Sequence, residues 1–228
     1  MRTMRPFLPL LLLFASCQAP PMPATLPDAG YFPLQSGQYR VYDVTEYQYK
    51  AGQPPTTRQY AWRETTGVPF QTLAGDTAYT LTYAHRTNNA IPWQIDSMGV
   101  ARQTPFETLL TLGGQTVVKL AFPAYDNQRW NGNRFNALGP DEFRLQRCHL
   151  PFRMDNKTID RSLTVIQQND STLVSQDKRV EVYGYRIGLV YAERQQLRFC
   201  ATDPGCTQPA AILYGIRQFI RLTDYGKD

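Results

Sequence analysis

From Tyr31 onward, apolar and polar residues alternate in short runs separated by turn formers. "AYTLTYAHR" places Tyr79, Leu81, Tyr83 and His85 on one face and Ala78, Thr80, Thr82 and Ala84 on the other. That period of two is the signature of a strand. "QTVVKLAFP" groups Val118, Leu120 and Phe122, and "SLTVIQQ" aligns Leu163 with Val165. "RVEVYGYRIGLVYAE" is a long β-branched and aromatic run in which Gly184 and Gly188 predict a bulge or tight bend. The breaks "AGQPP", "LAGD", "LGG", "NGN", "LGPD" and "DPG" are turn chemistry. "QQNDSTLVSQDKRVEV" predicts a hairpin turning at Asn169–Ser171. "AAILYGIRQFIRL" fits a C-terminal helix through Ile212, Ile216 and Ile220, or a last strand through Ile212, Tyr214 and Ile216. No repeat of fixed period and no second linker interrupts residues 31–228. The expectation is an all-β, mainly antiparallel single domain of about ten strands with little helix. It closes as a barrel or half-barrel, or as a two-sheet sandwich.

The first residues follow another pattern. Arg2 and Arg5 precede a short apolar run from Phe7 to Phe14, and small Ala15 and Ser16 lead directly to Cys17. The run is far shorter than the roughly 20 residues of a membrane-spanning helix. It has the layout of an export signal over residues 1–16. A plain signal peptide has no need of a cysteine there. Leu13-Phe14-Ala15-Ser16-Cys17 resembles the lipobox of bacterial lipoproteins, with Phe14 where Leu is commonest. The resemblance implies lipid attachment at Cys17. Residues 17–30, with Pro20, Pro21, Pro23 and Pro27, then read as an extended tether. Bacteroidota surface lipoproteins carry acids just after this cysteine, but here the first acid is Asp28. The expected place is therefore the outer membrane, anchored by lipid and facing the periplasm.

"YFPLQSGQYRVYDV", "VKLAFPAYDNQRWNGNRFNALGPDEF" and "VEVYGYRIGLVYAE" with "FCATDPGC" resemble a family of Bacteroidota lipoproteins with no established activity. The similarity spans most of residues 31–228. It implies an envelope protein and transfers no activity.

Charge narrows the choice of partner. The net charge is +5, and +3 without Arg2 and Arg5. The basic residues alternate with acids, as in "RVEVYGYR", so no nucleic-acid patch is expected. Cys200 and Cys206 enclose "ATDPG" and are expected to form a disulfide after export, worth roughly 2 kcal/mol. Cys148 is left as a buried free thiol. A zinc site from Cys148, His149, Cys200 and Cys206 is disfavoured, because neighbours on a strand point apart and no C-x2-C pair occurs. His85 and His149 are the only histidines, and no G-x-S-x-G elbow, P-loop or G-x-G-x-x-G is present. Asp141-Glu142 diverge on a strand, which does not suit a glycosidase pair. Asp126, Asn127, Asn131, Asn133 and Asp141 read as a polar turn rather than a calcium loop. Trp62, Trp93 and Trp130 are expected in the core or on a sheet face, with a ligand cleft as the alternative. Thr77, Ser97 and Ser171 sit in D-[ST]-x tripeptides like those O-glycosylated in Bacteroidota.

The expected function is that of a non-enzymatic envelope lipoprotein, a binding or structural module without a cofactor. Its partners would be the membrane, through the lipid, and an envelope protein. The alternative is a lipocalin-like carrier of an apolar ligand or lipid, for which an apolar cavity of roughly 300 Å³ or more is the criterion.

Overall fold

The computed structural model describes residues 27–155, 157–200 and 211–228. Among the described residues a 3-10 helix, Pro27–Tyr31, is followed by strands. These are β1 Gln38–Tyr49, β2 Thr56–Gln71, β3 Thr77–Arg86, β4 Gln94–Gln103, β5 Glu107–Leu112 and β6 Gln115–Ala121. Then come β7 Arg129–Asn131, β8 Glu142–Met154, β9 Lys157–Ser171, β10 Ser175–Gly184, β11 Gly188–Phe199 and β12 Ile212–Lys227.

All lie in one antiparallel sheet in the order β6-β5-β4-β3-β2-β1-β12-β11-β10-β9-β8-β7. This is an up-and-down meander in which the last strand pairs with the first. The sheet curls into a nearly closed barrel. Its two edges meet at β6 and β7, where the Val118 N–H donates to the Gly132 carbonyl (2.8 Å) and Trp130 Nε1 donates to the Val118 carbonyl (2.9 Å). The barrel therefore replaces the sandwich alternative.

The C-terminal ambiguity resolves as a strand. β12 finds backbone partners on both sides, from Gln38↔Lys227 to Tyr49↔Gly215 with β1 and from Tyr191↔Arg221 to Phe199↔Ile212 with β11. A helix would leave both neighbours with an open edge. The β9–β10 turn comes later than predicted, at residues 172–174. Thr172 Oγ1 accepts the N–H groups of Val174 and Ser175, so the threonine makes the turn and Ser171 ends β9.

One end of the barrel is closed by the N-terminal segment. Tyr31 and Phe32 are buried in a core with Leu81, Tyr83, Leu120, Trp130, Leu145, Val165 and Tyr183. A second cluster joins Tyr42, Val44, Val182, Val190 and Leu222 to Met154 at the end of β8. Asp28, expected in the tether, is instead buried in this end, where its Oδ2 accepts the Ala124 N–H (2.9 Å). Gln103 Nε2 donates to the carbonyls of Ala29 (2.9 Å) and Phe32 (2.8 Å). Asp28 and Ala29, from the last part of residues 17–30, are thus tied to the barrel. Cys17 and Cys206 lie outside the described residues.

Candidate functional site

Above the N-terminal plug the barrel interior is not filled. A cavity of about 230 Å³ is lined by Phe32, Trp62, Tyr83, Leu110, Leu112, Leu189 and Ile220, together with Arg40, Glu64, Lys119, Glu181 and Tyr183. Strand register explains the lining. Tyr42 faces Trp62 and Arg40 faces Glu64 across β1–β2, and Glu64 faces Tyr83 across β2–β3. Trp62 stacks on Tyr83 with ring centroids 5.3 Å apart and planes 12° from parallel. A wider depression of about 470 Å³ shares Glu181, Ala192 and Ile220 with the cavity and continues along Asp177, Arg179, Arg194, Gln196 and Gln218. The register places these residues on the cavity's own face of β10–β12, through Asp177↔Gln196, Arg179↔Arg194 and Arg194↔Gln218.

Two ion pairs stand in this apolar setting. Arg40 Nη1 meets Glu64 Oε1 at 2.6 Å, with side chains only 2% and 10% exposed. Arg40 also donates from Nε to the Ile187 carbonyl and from Nη2 to the Pro33 carbonyl (3.1 Å) and Gln38 Oε1 (3.3 Å). Its charge is thus spent on the plug, β1, β2 and the β10–β11 turn. Gly188, which opens β11 just after that turn at φ +97°, leaves room for the guanidinium, since a Cβ there would lie 2.4 Å from Arg40 Nε. Lys119 Nζ meets Glu181 Oε1 at 2.6 Å, and the Tyr183 hydroxyl donates to Glu181 Oε2, also at 2.6 Å. Burial alone would raise the Glu181 pKa. The Lys119 charge, with hydrogen bonds from Lys119, Tyr183 and Gln167, outweighs burial and holds it below the ordinary carboxylate value. Tyr83 is pushed far up, by burial first and then by the nearby Glu64 carboxylate.

A second polar cluster ties the plug down. The Tyr31 hydroxyl meets His149 Nδ1 at 2.8 Å, and His149 Nε2 meets the Ala124 carbonyl at 3.1 Å. A carbonyl only accepts, so Nε2 carries the proton and Nδ1 accepts from Tyr31. Arg161 Nη2 reaches Asp28 Oδ1 (3.5 Å) and lies 3.2 Å from His149 Nδ1. Asp28 Oδ1 is 4.0 Å from His149 Nε2. The cluster gathers a histidine, a carboxylate and the neighbouring Cys148, but with the wrong chemistry for a nucleophile. Both imidazole nitrogens are engaged, and the Cys148 thiol is pushed up to about 12 by burial, then by its hydrogen bond to Asp126 and the charges of Asp126 and Asp28. An activated cysteine is shifted the other way.

The remaining sequence-singled residues are placed as follows. Cys148 is a free thiol, half-buried rather than buried. Cys200 is buried at the end of β11 with its N–H donating to the Ala211 carbonyl (2.8 Å). Its expected partner Cys206 lies outside the described residues. Among the described residues no group of three His, Cys, Asp or Glu side chains is arranged to hold a metal. The oxygen-rich loop turns its acceptors inward. Asp126 Oδ1 takes the Cys148 N–H, Asn131 Oδ1 takes the N–H groups of Asn133 and Asp141, and Asp141 binds Arg179 in bidentate fashion. His85 Nδ1 lies 2.6 Å from Asp96 Oδ1, edge-on to Tyr60. Trp130 is core, Trp62 lines the cavity, and Trp93 lies under the Arg86 guanidinium at 4.3 Å. Thr77 and Ser171 are exposed, whereas Ser97 is half-buried against the cavity.

Sequence reasoning missed Arg40, Glu64, Lys119 and Glu181. Three of them left a signal. Arg40 is in phase with Tyr42 and Val44, Glu64 with Trp62, and Glu181 with Tyr183. A charge in phase with an apolar face needs a buried partner. Lys119 is out of phase with Val118 and Leu120 and carried no such mark.

No protein-family model matches the chain, and no curated protein is similar to it. Among solved structures it is similar to one described as a "putative lipoprotein from Parabacteroides distasonis", at 11% sequence identity and a TM-score of 0.43. The similarity covers 86% of this chain and 98% of that one.

Proposed function

We propose that the chain is a lipid-anchored protein of the bacterial cell envelope and that its barrel is a binding module rather than a catalyst. The observation that carries the anchor is the layout around Cys17: basic residues, a short apolar run, two small residues, the cysteine and a proline-rich stretch. Two or three acyl chains give a hold on the membrane that one does not. The expected location is the outer membrane, on its periplasmic side. Metabolic labelling with an alkyne fatty acid, followed by membrane fractionation, tests it. The wild type takes up label and sediments with outer membrane, and Cys17→Ala does neither. An unlabelled wild type, or a Cys17→Ala chain that stays with the membrane, would refute the anchor.

The second reading, a carrier, is favoured by the unfilled aromatic cavity. At about 230 Å³ the cavity falls short of the 300–1,000 Å³ of drug-sized sites, which argues against a whole lipid and for a smaller cargo. Native mass spectrometry of the chain released from nanodiscs reads the mass of whatever travels with it. A co-purifying acyl lipid would overturn the size argument.

A further inference from the structure

We propose that the barrel cavity is a binding site for a small, neutral, planar aromatic molecule bearing one hydrogen-bonding hydroxyl or N–H group. The inference rests on the reading of the barrel as a binding module and names what it binds.

Shape sets the size. A space of about 230 Å³ admits one or two fused rings and excludes an acyl chain of membrane length. The walls set the surface chemistry. Trp62 and Tyr83 present stacked rings, while Leu110, Leu112, Leu189 and Ile220 supply aliphatic contact. Aromatic rings gain offset-stacked or edge contacts beyond their area burial, so a planar aromatic guest profits most.

Electrostatics sets the charge. The four wall charges cancel in pairs, Arg40 with Glu64 and Lys119 with Glu181. A charged guest would be desolvated without a free counter-charge, or would have to break a pair whose partner then stays buried and alone. A neutral guest meets neither cost. It still finds polar handles. Lys119 needs one of its three N–H groups for Glu181, and a carboxylate's roughly four acceptor sites outnumber the bonds made to Glu181 by Lys119, Tyr183 and Gln167. The route in is the depression along Arg194, Gln196 and Gln218, which meets the cavity at Ala192 and opposes the N-terminal plug.

The test uses the full lipidated chain in nanodiscs and ligand-observed NMR titration. Neutral phenol and indole are compared with benzoate, benzylammonium and the non-aromatic cyclohexanol. Phenol or indole should bind about tenfold or more tightly than all three others. Leu112→Trp, which fills the cavity from its partly exposed wall, should abolish binding. So should Ala192→Leu at the junction, a smaller change that covers the case in which the first variant misfolds. Melting curves of both variants report folding. Equal binding of the charged probes, or phenol and indole binding that survives in both folded variants, overturns the proposal. The fatty-acid labelling result stands apart from either outcome, so loss of the ligand and loss of the anchor are told apart.

Discussion

The plugged end of the barrel and the cavity above it both bury charge, but they use it differently. At the plug, Asp28, His149, Arg161 and Gln103 bind backbone or side chains of other segments, and each bond joins pieces distant in sequence. Around the cavity, Lys119 and Glu181 pair with each other and face open space. The plug's polar groups hold the fold together. The cavity's polar groups give a void its character. Arg40 belongs to both, since it lines the cavity and holds Pro33 and Ile187 through their carbonyls.

The difference can be broken at its strongest point first. Arg40→Met should cost about 3–5 kcal/mol in urea unfolding, because Glu64 is left buried and unpaired. A loss below about 1 kcal/mol would mean that Arg40 is not the link between plug and cavity. Asp28→Ala follows, at about 1–3 kcal/mol, by orphaning the Ala124 N–H. The penalty should be read in stability with phenol binding unchanged; a binding loss without destabilisation would erase the distinction.

The third prediction concerns pH. The Glu181 pKa is depressed in the folded state relative to its ordinary 4.5. Its contribution is therefore present above about pH 4.5 and lost as pH falls through the lower folded value. Glu181→Gln should flatten the urea midpoint against pH on the acid side, and an unchanged slope would remove Glu181 from that role. The smallest effect on stability belongs to Cys148. With its thiol pushed up to about 12 by burial and by Asp126, Cys148 holds far less thiolate near pH 8 than it does in the unfolded chain. Iodoacetamide should label Cys148 in urea and barely at all in the native protein, as read by peptide mass spectrometry.

The strand content of the barrel was legible because period-two alternation survives in the longest runs. Tyr79, Leu81 and Tyr83 in β3 are an example. What stayed hidden was local. β7 has three residues, too few to show a period. β5 and β6 meet at Gly113-Gly114, both at positive φ, and the sequence announced the turn without separating the strands. Asp28 looked like tether because a proline-rich context outweighs one acid, whereas its burial depends on an N–H from residue 124, far along the chain. The cavity was hidden for the same reason. Alternation gives the face of each side chain, but the space left when twelve faces converge is a property of curvature.

The pairing of β1 with β12 has a consequence for how the chain acquires its shape. Gln38 waits for Lys227, and every other rung of that ladder also joins the beginning of the sheet to its end. Local hairpins such as β5–β6 form early and independently, whereas this ladder has the longest loop to close. Folding should therefore be limited by a late event, the docking of β12 against β1. A chain stopped before Ile212 would keep eleven strands and expose the flanks of β1 and β11, two unpaired edges ready to pair with another copy.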